Sequence, residues 1–116
     1  EELVALQGGI ALGVAGEMRQ IDADRESHYP MLLSLKGAKG TTAYPTLKCA
    51  GTLSRVGTTK SGYVIFQETV KNEPGGSCID GIVLVTTDAG KLLLGWYAAL
   101  EGAPSLASAV LNRDAD

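Results

Sequence analysis

Few residues in this chain could carry reactive chemistry: two cysteines, Cys49 and Cys78, one histidine, His28, and a carboxylate, Glu68, written among hydrophobic neighbours. The cysteines lack a CxxC spacing, which argues against a redox-active pair or a structural zinc site. Joined as a disulfide they would close a loop of about 30 residues, a constraint worth roughly 3–4 kcal/mol on chain entropy, and would imply an oxidising compartment. Left apart, they would be two core thiols of a cytosolic protein. The disulfide is the expected state. His28 has no GxSxG elbow to work with, so it reads as a surface or edge histidine and not as part of a nucleophilic triad. In GYVIFQETV, period-two alternation puts Glu68 on one face with Val64, Phe66 and Val70. A carboxylate on a half-buried face needs a partner. Arg55 or a lysine would make a structural ion pair; a ligand cation or hydroxyl at a barrel mouth would make a binding site. General acid catalysis is the least favoured, because Glu73 and Asp80 lie in or beside a glycine turn. Trp96 and Tyr97 end an apolar run, as core and rim residues or as a stacking platform for a ligand. The candidate ligand-binding residues are therefore Glu68, Trp96, Tyr97 and Arg55, with no catalytic, metal or cofactor residues assigned.

The elements that must position these residues are short strands. A chain of 116 residues, 45% hydrophobic and 20% charged with 15 glycines, fits one domain with a single core and many tight turns. TLKCAGTLS alternates, with Leu47, Cys49, Gly51 and Leu53 on the inward face. IDGIVLVTT and KLLLGWYA supply two more strands, expected to pair as a hairpin across Asp88-Ala89-Gly90. Turns are marked by Lys39-Gly40, Gly57-Thr58, Lys60-Ser61-Gly62 and Pro74-Gly75-Gly76. The phrase Tyr-Pro-x-Leu occurs twice, at Tyr29 and at Tyr44. Proline lacks a ladder donor and holds the preceding residue extended, so each copy suits a strand start or a sheet edge. The glycine-broken opening favours a strand over residues 10–21, and PSLASAVLN, residues 104–112, reads as a short helix with Leu106, Val110 and Leu111 on one side. Residues 113–116 are expected to fray.

Charge is unevenly laid out although the net charge is only −3. The first 26 residues carry Glu1, Glu2, Glu17, Asp22, Asp24 and Glu26 against Arg19 and Arg25. From Ser27 to Gln67 there is no carboxylate, only Lys36, Lys39, Lys48, Arg55 and Lys60. Cations spread over two or three strands give at most a weak, salt-sensitive attraction for anionic polymers, and without interleaved aromatics they do not make a nucleic-acid site. No apolar run reaches the ~20 residues that a spanning helix requires. The chain opens on Glu1, which leaves an upstream leader or domain open.

Taken together, YPTLKCAGTL, FQE, CIDGIVLV and LLLGWYA resemble a pattern of small bacterial β-domains, including modules attached to serine/threonine kinases and other signalling or envelope proteins. The pattern covers roughly residues 29–98 and falls here on Tyr44, Pro45, Leu47, Cys49, Gly51, Leu53, Phe66, Glu68, Cys78, Gly81 and Trp96. The glycine-rich start departs from it, where a tryptophan-glycine strand would be expected. The resemblance implies an antiparallel meander closing into a small lipocalin-like barrel or strongly curved sheet, cystine-linked, with a sensing or binding role. The expected function is a non-enzymatic ligand-binding or sensor module of a bacterial envelope or secreted protein. The alternative is a β-barrel protein-interaction domain such as an enzyme inhibitor. A lined cavity beside Glu68 and Trp96 favours the first; a rigid, protruding KNEPGGS loop, residues 71–77, favours the second. An extracytoplasmic setting is expected with the disulfide, a cytoplasmic one with free thiols.

Overall fold

The computed structural model describes residues 12–22, 25–100 and 103–113. Eight strands follow one another around a closed antiparallel barrel: β1 Leu12–Asp22, β2 Arg25–Lys36, β3 Lys39–Tyr44, β4 Cys49–Thr58, β5 Val64–Asn72, β6 Gly81–Asp88, β7 Lys91–Leu100 and β8 Ala103–Arg113. Each strand pairs with its sequence neighbours, and β8 returns to β1, so the meander closes and does not remain an open curved sheet. Closure removes the unpaired edges that an open sheet of eight strands would expose.

Alternation along the strands, interrupted in β4 by a register shift between Arg55 and Gly57, separates inside from outside. Leu33, Leu35, Leu53, Phe66, Val85, Leu92 and Leu111 are almost wholly buried and fill the end of the barrel that carries the β2–β3, β4–β5 and β6–β7 turns, here the lower end. An eight-stranded barrel has an interior just wide enough for side chains to fill it. The upper end, where the chain crosses from β1 to β2, β3 to β4, β5 to β6 and β7 to β8, is lined by Tyr29, Tyr44, Cys49, Glu68, Trp96 and Ala98.

Expectations for the C-terminal segment, the Tyr-Pro phrases and two turns need correction. The segment expected to be a helix, residues 104–112, is the strand β8: Ala107, Ala109 and Leu111 point inward while Leu106 and Val110 are exposed. Apolar residues on both faces hide the period of two, and the barrel cannot close without an eighth strand between β7 and β1. The first Tyr-Pro does not begin a strand, since Tyr29 and Pro30 lie inside β2. There they pair with β1 alone, because β3 joins β2 only from Leu32, and a stretch with one ladder tolerates proline. The second Tyr-Pro ends β3 and opens a one-turn 3-10 helix, Pro45–Leu47, before β4. The turn expected at Lys39-Gly40 falls at Gly37-Ala38, and Gly57 belongs to a register shift within β4. The hairpin across Ala89-Gly90 is present, with Asp88 opposite Lys91. The strand expected over 10–21 is β1, and residues 1–11 and 114–116 lie outside the described residues.

Candidate functional site

The upper end of the barrel has incomplete ladders on both sides of β3–β4–β5. Pairing between β5 and β6 stops at Glu68 and Gly81, and pairing between β2 and β3 stops at Leu32 and Ala43. Side chains supply the hydrogen bonds that the backbone leaves out. Beyond Glu68, the Val70 amide donates to Asp80 Oδ1 at 2.8 Å. The Asn72 carboxamide mimics a strand partner for Cys78, accepting from its N–H at 2.8 Å and donating to its carbonyl at 3.0 Å. The disulfide between Cys49 and Cys78 ties the same loop to the start of β4, with Cα atoms 6.3 Å apart. Glu73 N–H, donating to the Lys48 carbonyl at 2.9 Å, adds a second tie.

Inside, Glu68 bridges three strands. It is 1% exposed. Thr42 Oγ1 and Tyr44 OH, both on β3, donate to Glu68 Oε2 at 2.6 Å, and Trp96 Nε1 on β7 donates to Oε1 at 2.9 Å. Three donors meeting two carboxylate oxygens match the acceptor-only character of the group, and bonds to a charged acceptor are the short, strong kind. Burial first, and then the Glu68 carboxylate, push the Tyr44 phenol well above its ordinary range, which keeps it a donor. Tyr44 in turn packs edge-on to Tyr29, ring centres 6.1 Å apart, and the Tyr29 hydroxyl donates to Gln20 on β1. No buried side-chain nitrogen or oxygen among the described residues lacks a hydrogen-bond partner.

Two glycines make this arrangement sterically possible. A Cβ on Gly81 would lie 2.6 Å from Trp96 Nε1, and one on Gly51 would lie 2.5 Å from Thr42 Oγ1 and 3.0 Å from Glu68 Oε2. Gly81 lets the indole approach the carboxylate, and Gly51 leaves room for the carboxylate and its threonine donor. The scattered pattern residues Tyr44, Cys49, Gly51, Glu68, Cys78, Gly81 and Trp96 are thus one construction: donors, acceptor, clearance and staple.

Of the four candidate ligand-binding residues, the structure brings two together, Glu68 and Trp96. Tyr97, the next residue along β7, necessarily points the other way and is exposed on the outer wall. Arg55 sits where the β4–β5 register shifts, with its guanidinium donating to Thr58 Oγ1 at 3.1 Å. Among the described residues the hydrogen bonds to Glu68 come from neutral donors, and Arg55 is not the partner that sequence reasoning supplied for it. Thr42 and Tyr44 were missed as donors; their place two apart on a strand ending in Tyr-Pro was the available signal. His28 is on the outer wall, between Glu17 Oε1 at 3.3 Å and Glu26 Oε2 at 2.8 Å. Among the described residues no group of three His, Cys, Asp or Glu side chains is placed to hold a metal ion, and no helix is long and apolar enough to cross a membrane.

The outer wall carries a second feature. Ile82, Tyr97, Leu106 and Ile21 are register partners across β6, β7, β8 and β1, and all four point outward with 36%, 44%, 51% and 40% exposure. Beside this row lies a groove of about 690 Å³ lined by Leu84, Leu93, Val110 and the small residues Gly95 and Ser108, with Glu17 and Tyr63 at its margins. Comparison with protein-family models, curated proteins and solved structures finds no match to this chain.

Proposed function

We propose that this barrel is a non-enzymatic binding module of an extracytoplasmic protein and that it recognises a protein partner through the outer wall of β6, β7, β8 and β1. The observation that carries the reading is the row Ile82, Tyr97, Leu106 and Ile21, a continuous apolar strip four strands wide, with exposed Val110 beside it, whereas the other exposed large hydrophobic residues described, Leu32 and Val56, lie on other strands. Contiguous exposed apolar surface of this kind is characteristic of recognition sites. Tyrosine, at the centre of this strip, is one of the residue types enriched among the anchors of protein contacts. The adjoining groove, floored by Gly95 and Ser108, has the shape to receive an apolar side chain from that partner.

Two further observations support a protein partner over a small molecule held in the barrel mouth. Glu68 and Trp96 are committed to each other and to Thr42 and Tyr44, which leaves them little bonding capacity for a ligand. The KNEPGGS loop is exposed yet pinned by the disulfide, by Asn72 and by the Lys48 carbonyl, the condition under which a loop can present a fixed surface. The disulfide also supports the extracytoplasmic setting, since reducing compartments do not maintain such bonds.

Site-specific photo-crosslinking in the host tests the reading. A photoreactive residue at Leu106 or Ile82 is expected to capture one recurring protein, identified by mass spectrometry, while the same residue at Ala50, exposed on the opposite wall, captures none of it. Equal capture at Ala50, or none at either strip position, would overturn the proposal.

A further inference from the structure

On the opposite wall the outward residues of β2, β3, β4 and β5 form a different surface. Ser34, Thr41, Thr52 and Thr69 are register partners and make an unbroken row of four hydroxyls across four strands, at the usual strand spacing of about 4.8 Å. The next row toward the lower end reads Lys36, Lys39, Ser54 and Gln67. Between the two rows runs a groove of about 520 Å³ lined by Lys39, Thr52, Ser54, Gln67 and Thr69. No carboxylate stands at an outward position of this wall from Leu32 through Lys71, whereas Lys36, Lys39 and Lys71 all do. The carboxylate-free stretch of the sequence therefore becomes a carboxylate-free surface, with its two closest cations side by side across the β2–β3 turn.

We propose that this groove binds an acidic glycan. The hydroxyls and the Gln67 carboxamide can exchange hydrogen bonds with sugar hydroxyls in both directions, since each both donates and accepts. The ammonium groups of Lys36 and Lys39 supply charge-assisted bonds to a uronate carboxylate or a sulfate at one end of the groove. Charge complementarity selects a polyanion, and no aromatic ring lines the groove, which removes the stacking platform that single-stranded nucleic acid uses. Recognition is thus by hydrogen bonding and charge, and it weakens as salt screens the exposed lysines. This surface is separate from the apolar strip, so its test stands independently of the protein-partner reading.

Affinity electrophoresis of the full chain at low ionic strength, through gels containing polygalacturonate, neutral dextran or single-stranded DNA, tests the proposal. Retardation is expected with polygalacturonate only, and it should fade toward physiological salt. Lys36→Glu with Lys39→Glu should weaken retention tenfold or more, and Thr52→Val, which changes no charge, threefold or more; Lys91→Glu, outside the groove, should retain wild-type binding. Circular-dichroism melts matching the wild type exclude misfolding of the variants. No retardation by polygalacturonate, unaltered binding of the double variant or of Thr52→Val, or equal retention by DNA would overturn the assignment of an acidic glycan.

Discussion

Two carboxylates, Glu68 and Glu26, each gather a group of partners, yet they belong to opposite worlds. Glu68 is buried at the upper end and held by Thr42, Tyr44 and Trp96, all neutral. Glu26 is on the outer wall, held by the Arg19 guanidinium, Nε at 2.9 Å and Nη2 at 3.2 Å, with the His28 imidazole Nε2 at 2.8 Å. The charged cluster resembles a stronger device, but water competes for every member of it, and exposed ion pairs contribute little. The neutral cluster has no water to fall back on. Any donor that loses Glu68 stays buried and unsatisfied, so the weaker-looking bonds matter more.

The sharpest break of this comparison is Glu68→Ala. It strands three buried donors, and the loss of stability should be about 4 kcal/mol in chemical denaturation, against less than about 0.5 kcal/mol for a surface substitution without such a role. A loss comparable to that of a surface variant would place Glu68 on the same footing as Glu26.

Removing the staple beside the buried cluster comes next. Replacing Cys49 and Cys78 together by alanine opens a constraint spanning 29 residues and should cost about 3 kcal/mol. Because the loop that carries Asp80 and Cys78 stands in for the missing end of the β5–β6 ladder, hydrogen exchange should rise first at Val70 and Cys78. Exchange rising evenly over the barrel would separate the disulfide from the Glu68 region.

The smallest effect concerns pH. Hydrogen bonds from Arg19, and then from His28, hold the Glu26 carboxyl at about 2, below its ordinary 4.5. A depressed folded value means that the contribution is present above the unfolded value and is lost as pH falls from about 4.5 toward about 2. Glu26→Gln should therefore flatten the acid limb of the stability curve slightly in that window and leave neutral pH almost untouched. A large change at neutral pH would show that the exposed cluster carries real stability.

Much of the barrel is legible in the sequence because alternation is a local signal. Cys49, Gly51 and Leu53, or Val64, Phe66 and Glu68, announce an inward face within a few residues, and Asp88-Ala89-Gly90 announces its hairpin. Strand β8 is unreadable by the same rule, since Leu106 serves the outer strip and Val110 the groove beside it while Ala107 and Ala109 serve the core, and apolar residues on both faces erase the alternation. The inward placement of Glu68 was legible; its partners were not. Thr42 and Tyr44 lie 26 and 24 residues away, and Trp96 lies 28. Only the closed order of strands brings them to one carboxylate. Arg55 suits Glu68 by charge alone, and the register shift between Arg55 and Gly57 takes its surroundings out of reach of period-two counting.

The claim that the motif residues act as one buried unit is tested most directly by a double-mutant cycle between Glu68 and Trp96. Glu68→Ala, Trp96→Phe and the double variant, measured by denaturant unfolding, should give a coupling of about 1 kcal/mol or more, because each single change already disables the bond that the other would remove. Strictly additive losses, with coupling near zero, would contradict a shared network and return Glu68 to an independent role.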